Sequence, residues 1–151
     1  RALYVQENNQ VDSNLKKYQI FIIRFAFYLG ALSDGLALIP MLFPSIGIAL
    51  FGGEAAQITE AYRYAMGIGA SLMAGWTILL IWGAQKPIER IFILPITIFP
   101  VVLGIVVSTI YAVSTGVVLL GRVQFLYVHL TFLCALFIWS FIIVKKHTNK
   151  H

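Results

Sequence analysis

Four long apolar stretches, separated by short polar segments, dominate the hydrophobic pattern along this chain. They cover residues 18–39, 64–84, 91–113 and 123–144. A helix needs about 20 apolar residues to cross the hydrocarbon of a bilayer, so each stretch is long enough to span a membrane. In hydrocarbon the backbone polar groups must be satisfied within the segment, which favours helices. The pattern therefore predicts an all-α, polytopic membrane four-helix bundle.

The polar segments divide the chain into three parts. Residues 1–15 are predicted to form a polar N-terminal tail, residues 16–144 the four-helix transmembrane domain, and residues 145–151 a basic cytoplasmic tail. Pro40 and Pro44 interrupt or kink the end of the first span. The apolar piece that follows, residues 45–53, is too short to cross again. It is expected to be a short interfacial or re-entrant segment.

Composition supports a membrane protein. The chain has 151 residues, of which 60% are hydrophobic and 11% charged, and its mean hydropathy is +0.86. This leaves too little polar surface to cover a soluble globule. In a soluble protein the net charge of +5 would suggest nucleic-acid binding. Here the basic residues flank the spans, which indicates membrane orientation instead, so no nucleic-acid partner is predicted.

The distribution of basic residues predicts the orientation. If both termini share a side, that side has nine basic residues and the other has two. Because positive charge is enriched on the cytoplasmic side, we predict that both termini lie in the cytoplasm. The expected interface anchors are Arg24, Lys86, Arg90, Arg63 and Arg122. For Arg24, snorkelling to the headgroups is one interpretation, and pairing with Glu89 is the other.

Small residues at spacings of about one helical turn predict how two spans pack. The second span carries Gly67, Ser71 and Gly75, and the third carries Gly104, Ser108, Ala112 and Gly116. Small residues let membrane helices approach closely. We therefore expect the second and third spans to form a tight antiparallel hairpin, with Ser71 or Ser108 either only packing or also lining a cavity.

One acid, Asp34, lies in a stretch free of other charges from residue 25 to residue 53. An ionisable group inside a span is costly and indicates a functional site. At ~1.5 Å rise per residue, Asp34 lies about 15 Å below Pro44. The same arithmetic brings polar residues of the other spans to a similar depth. The predicted polar layer comprises Asp34, Ser71, Ser108, Tyr111, Tyr127 and His129.

An unpaired carboxylate at this depth would take up a proton or find a partner. His129 is the only other ionisable candidate deep in another span, so we predict a contact between Asp34 and His129. Two interpretations stay open. The contact, or a hydrogen bond from Asp34 to a neighbouring Ser or Tyr, is purely structural, or the layer is a ligand-binding or proton-linked site.

Metal and cofactor motifs are not found. A single cysteine and one histidine within the spans cannot supply a structural zinc set, and no His-Glu-x-x-His sequence occurs. A bis-histidine haem would need a second buried histidine. The sequence also contains no glycine-rich phosphate loop, Gly-x-Ser-x-Gly or Cys-x-x-Cys. We therefore predict no metal site and no catalytic residue set. No cofactor is predicted, and a haem shared with a partner chain is the alternative that stays open.

The layout resembles a known group of proteins. Four spans, with Arg24 followed by Gly30 in the first, are similar to the small bacterial four-helix membrane proteins around the DoxX-like families. The turn Trp-Gly-Ala-Gln-Lys-Pro-Ile-Glu-Arg, residues 82–90, resembles the hairpin turn of uncharacterised bacterial members. This resemblance implies the fold and a location in a bacterial inner membrane, and it implies no particular activity. Asp34 is similar to the acid in the first helix of the small multidrug transporters.

Three classes of function follow. The favoured one is a non-catalytic bundle, either a ligand-binding protein or an accessory subunit of a larger membrane complex. The alternatives are a small oligomeric proton-coupled transporter that uses Asp34, and a membrane enzyme that acts on lipid or quinone near His129. The expected partners are membrane lipids, together with other membrane subunits or further copies of the chain.

Overall fold

The computed structural model describes residues 17–51 and 58–148, and over these residues it is helical without strands. Its helices are α1 (Lys17–Leu42), α2 (Pro44–Phe51), α3 (Glu60–Gln85), α4 (Ile93–Ile96), a π-helical segment (Thr97–Val102), α5 (Leu103–Ser114) and α6 (Leu120–Thr148). The predicted N-terminal tail, residues 52–57 and the end of the basic tail lie outside the described residues.

The prediction of four membrane-spanning helices is confirmed. Four helices are long and apolar enough to cross a bilayer, namely Lys17–Leu42, Glu60–Gln85, Ile93–Ser114 and Leu120–Lys146. The third of them is built from α4, the π-helical segment and α5. The second begins earlier than expected because Glu60 and Arg63 belong to the helix. Thr59 caps its first turn by accepting a hydrogen bond from the Tyr62 amide at 3.1 Å.

The core lies where α1, α3 and α6 meet. Phe27, Leu80 and Phe137 are almost fully buried there. Gly30 makes this packing possible, because a Cβ atom added to it would lie 2.8 Å from Phe137 Cζ. A Cβ atom on Gly83 would overlap the ring of Phe27 in the same way. Close approach of backbone to aromatic rings therefore holds the three helices together.

The small residues predicted to join the second and third spans do not do so. A Cβ atom added to Gly67, Gly75 or Gly104 would meet no atom within 4 Å. None of the residues of α5 is buried. The predicted tight hairpin is therefore wrong over this part of the two spans. A small residue permits close packing but does not attract a neighbour, and the close approaches form at Gly30 and Gly83 instead.

The third span connects to α3 through a side-chain hydrogen bond near an irregular stretch. Trp76 Nε1 donates to Thr97 Oγ1 at 3.1 Å, and Thr97 Oγ1 donates to the Ile93 carbonyl at 2.8 Å. Thr97 opens the π-helical segment, which contains Pro100. Because proline has no amide hydrogen and its ring crowds the preceding turn, the regular α-helical ladder cannot pass through it. Pro100 thus interrupts the regular α-helix of the third span at this point.

The segment predicted to be interfacial or re-entrant contains the short helix α2. It folds back on the end of α1, since a Cβ atom on Gly47 would lie 3.0 Å from the Pro40 carbonyl oxygen. At its other side, Arg122 Nη1 donates to the Ala49 carbonyl at 3.3 Å. These contacts join the end of α1, α2 and the beginning of α6.

Candidate functional site

Ser33 on α1 and His129 on α6 form a polar contact between the first and fourth spans. The Ser33 hydroxyl donates to the Leu29 carbonyl at 2.8 Å and lies 2.9 Å from His129 Nε2. A hydroxyl has one hydrogen to donate and can also accept. Both contacts are therefore satisfied when His129 carries a proton on Nε2 and donates it to Ser33.

Asp34 follows Ser33 directly and has a different environment. Its Oδ2 atom is buried and has no hydrogen-bond partner in the described part of the chain. Asp34 lies one helical turn beyond Gly30, so the two residues share a face of α1. Gly30 faces Phe137 of α6 and Leu80 of α3. This places the carboxyl group on the side of α1 that faces the bundle interior.

The predicted contact between Asp34 and His129 is wrong, because the partner of His129 is the neighbouring Ser33. Over residues 17–51 and 58–148 the ion pairs are Arg63–Glu60 at 3.9 Å and Lys86–Glu89 at 3.1 Å. Successive residues of a helix point about 100° apart, and it is the Ser33 side chain that reaches His129. The rise per residue predicted correctly which turn of α1 lies opposite His129. It did not predict which residue of that turn makes the contact.

The other members of the predicted polar layer do not converge on this contact. Ser71 is exposed and donates to the Ile68 carbonyl of its own helix at 2.8 Å. Ser108 is exposed on α5, and Tyr111 is 71% exposed there. Tyr127, on α6, is half-buried. Any role of these four side chains in ligand binding stays a prediction.

Sequence reasoning missed two polar groups of this bundle. Ser33 was overlooked because its neighbour carries the charge, although it lies at the same depth. Ser140 Oγ on α6 is buried and has no hydrogen-bond partner among the described residues. A serine within an apolar run is too common a pattern to single out without the structure.

An aromatic ring borders the site on the outside. Phe125, one turn before His129 on α6, stacks on the imidazole with the ring centroids 6.4 Å apart and an angle of 11° between the planes. Phe125 itself is 81% exposed. The imidazole thus lies between the Ser33 hydroxyl and an aromatic side chain on the outer surface of the bundle.

The predicted interface anchors have distinct environments. Arg90 lies over the Trp82 ring, 3.4 Å from its centroid, and donates to the Trp82 carbonyl. Lys86 pairs with Glu89. The alternative pairing of Arg24 with Glu89 is not among the ion pairs of the described residues. Arg24 is exposed at the same end of the bundle.

The described residues contain no group of three or more His, Cys, Asp or Glu that is able to hold a metal ion. Comparison with known proteins finds no matching family model, curated protein or solved structure. The resemblance to the DoxX-like families therefore stays a prediction that rests on the layout alone.

Proposed function

We propose that this chain is an integral membrane protein that binds a ligand without catalysis, and that Asp34 is the residue that contacts the ligand. The observation that carries the proposal is the buried Oδ2 atom of Asp34, which lacks a partner in the described structure. A buried polar atom without a partner costs about 1–3 kcal/mol. A ligand with a positive charge or a hydrogen-bond donor would remove that cost.

The hydrogen bonds of Ser33 favour a non-catalytic role. A serine nucleophile requires a base that accepts its hydroxyl proton. The Ser33 proton is directed to the Leu29 carbonyl, so His129 acts as the donor. This arrangement suits an interhelical contact, and it argues against the alternative of a membrane enzyme that uses His129.

An accessory subunit and a transporter are the other candidates. The absence of buried residues in α5 supports a subunit whose third span packs against another protein. The unpartnered carboxyl of Asp34 also supports a small oligomeric proton-coupled transporter, since an acid within a span is a common proton carrier. Substrate-driven proton uptake in vesicles that Asp34→Asn abolishes would favour the transporter.

The proposal includes a location. We place the protein in the bacterial inner membrane, with both termini in the cytoplasm and α2 at the opposite interface. Lys86, Arg90 and Lys145 at one end of the bundle support this orientation, because only Arg63 and Arg122 lie at the other end among the described basic residues. The resemblance to small bacterial four-helix proteins supports the same location.

The native mass of the purified protein in mild detergent, measured with bound small molecules retained, tests the proposal. The wild-type chain should carry a defined small molecule, and Asp34→Asn should lose it while keeping its helix content and oligomeric state. Glu60→Gln, which removes an exposed acid outside both the interior and the other end of the bundle, is the matched control and should retain the molecule. Association with other polypeptides and no small molecule would instead indicate an accessory subunit.

A further inference from the structure

A polar cleft lies at the end of the bundle where α1 begins and α3 ends. Its volume is about 310 Å³, at the small end of the range for ligand sites. It is lined by Ile20, Arg24, Gln85, Lys86, Pro87, Ile88 and Glu89. None of these residues belongs to the polar layer around Asp34, so the cleft is a separate feature of the molecule.

The charges in the cleft are not balanced. Lys86 Nζ lies 3.1 Å from both carboxylate oxygens of Glu89, so this pair is neutral overall. Arg24 forms no ion pair with Glu89 and has no hydrogen-bond partner among the described residues. The cleft therefore has a net positive charge, supplied by a guanidinium group whose N–H donors are unused by the described residues.

We propose that this cleft binds the phosphate group of an anionic membrane phospholipid, with Arg24 as its principal contact. A guanidinium group matches two phosphate oxygens at once, which a compact ammonium group cannot do. The amide of Gln85 and the ammonium group of Lys86 add donors at the rim.

The apolar part of the cleft favours a lipid as the source of the phosphate. Ile20, Pro87 and Ile88 line the cleft together with the polar groups, and Ile88 is only 9% exposed. The cleft also lies at the end of two membrane-spanning helices, where a bilayer crossed by these helices would have its phospholipid headgroups. The phosphate would contact Arg24 while the adjoining glycerol and first methylene groups contact the apolar side chains.

The test is lipid binding to the full chain, delipidated in mild detergent and titrated with phosphatidylglycerol or phosphatidylcholine, with the bound lipid measured by native mass spectrometry. Wild type should prefer phosphatidylglycerol. Loss of a charged hydrogen bond predicts that Arg24→Gln weakens this binding by about tenfold. Arg24→Lys should weaken it less. Arg63→Gln, at the opposite end of the bundle, should leave it unchanged.

Glu89→Gln releases Lys86 and should therefore strengthen phosphatidylglycerol binding. A misfolded variant cannot produce such a gain, so this result separates an effect on the site from loss of the fold. Equal binding by wild type and Arg24→Gln would overturn the proposal, as would equal losses in Arg24→Gln and Arg63→Gln. Competition between the lipid and inorganic phosphate is the last measurement. If millimolar phosphate displaces the lipid through the same arginine, the site takes free phosphate; if it does not, the lipid headgroup is the ligand.

Discussion

The hydroxyl oxygen of Ser33 lies 2.9 Å from Nε2 of His129, although 96 positions separate the two residues in the chain. The contact joins the first span to the fourth within the apolar part of both helices. Hydrogen bonds between membrane helices fix which faces meet, because an unpaired donor has no water to replace its partner. Ser33 and His129 therefore help to set the rotation of α1 that directs Asp34 towards the interior.

The coupling between Ser33 and His129 is measurable. Ser33→Ala and His129→Phe should each lower the free energy of unfolding, and the double variant should lose less than their sum. The expected coupling is about 1 kcal/mol, the scale of interhelical hydrogen bonds in membranes. Reversible unfolding in mixed micelles measures it. Ser71→Ala, which removes a bond within one helix, is the control, and strict additivity would contradict the contact.

Gly30→Ala should destabilise the bundle, because the added methyl group would lie 2.8 Å from Phe137 Cζ. Overpacking of this kind costs about 1–3 kcal/mol. Gly104→Ala adds the same group where a Cβ atom meets nothing within 4 Å, so its unfolding free energy should hardly change. Phe137→Leu should restore part of the loss in Gly30→Ala. Equal effects of the two alanine substitutions would contradict the packing.

The four spans were predictable from the sequence because the length of an apolar run depends on the bilayer and on no tertiary contact. Their boundaries were less so. The sequence pattern predicted that Glu60 and Arg63 lie outside the second span. In the structure they occupy the first turn of α3, where the negative charge of Glu60 interacts favourably with the helix dipole. A charged residue near an interface is compatible with both interpretations.

The sequence predicted the depth of the site in the membrane but not the rotation of α1 about its axis. The rise per residue brought His129 to the correct turn of α1, whereas the choice between Ser33 and Asp34 depends on how the helix is turned about its axis. That rotation follows from packing at Gly30 and Gly83, which the sequence pattern does not distinguish from the glycines left open at Gly67 and Gly104.

Thr97→Val should destabilise the junction between α3 and the third span. The substitution preserves the shape of the side chain and removes the oxygen that accepts from Trp76 Nε1. Leaving that indole N–H unpaired should cost about 1–3 kcal/mol. Thr109→Val is the matched control, because Thr109 Oγ1 bonds to the Ile105 carbonyl of its own helix. Thermal unfolding in detergent compares them, and equal midpoints would contradict a role for the bond.

Arg90→Lys should weaken the turn between the second and third spans. Arg90 both stacks on the Trp82 ring and donates to the Trp82 carbonyl, and an ammonium group cannot reproduce the planar stack. The expected loss is about 1 kcal/mol of unfolding free energy. In a Trp82→Leu background the same substitution should cost less, since the ring is already absent. An unchanged cost in that background would show that stacking contributes nothing.

Cysteine labelling tests the orientation of the bundle. In a Cys134→Ala background, Gln85→Cys and Thr115→Cys each place one thiol at an exposed position at opposite ends of the bundle. With cytoplasmic termini, a membrane-impermeant maleimide should label Thr115→Cys in intact cells and Gln85→Cys only after the membrane is permeabilised. The reverse pattern would place the termini outside, against the distribution of basic residues. Labelling of both variants in intact cells would mean that the two positions do not lie on opposite sides.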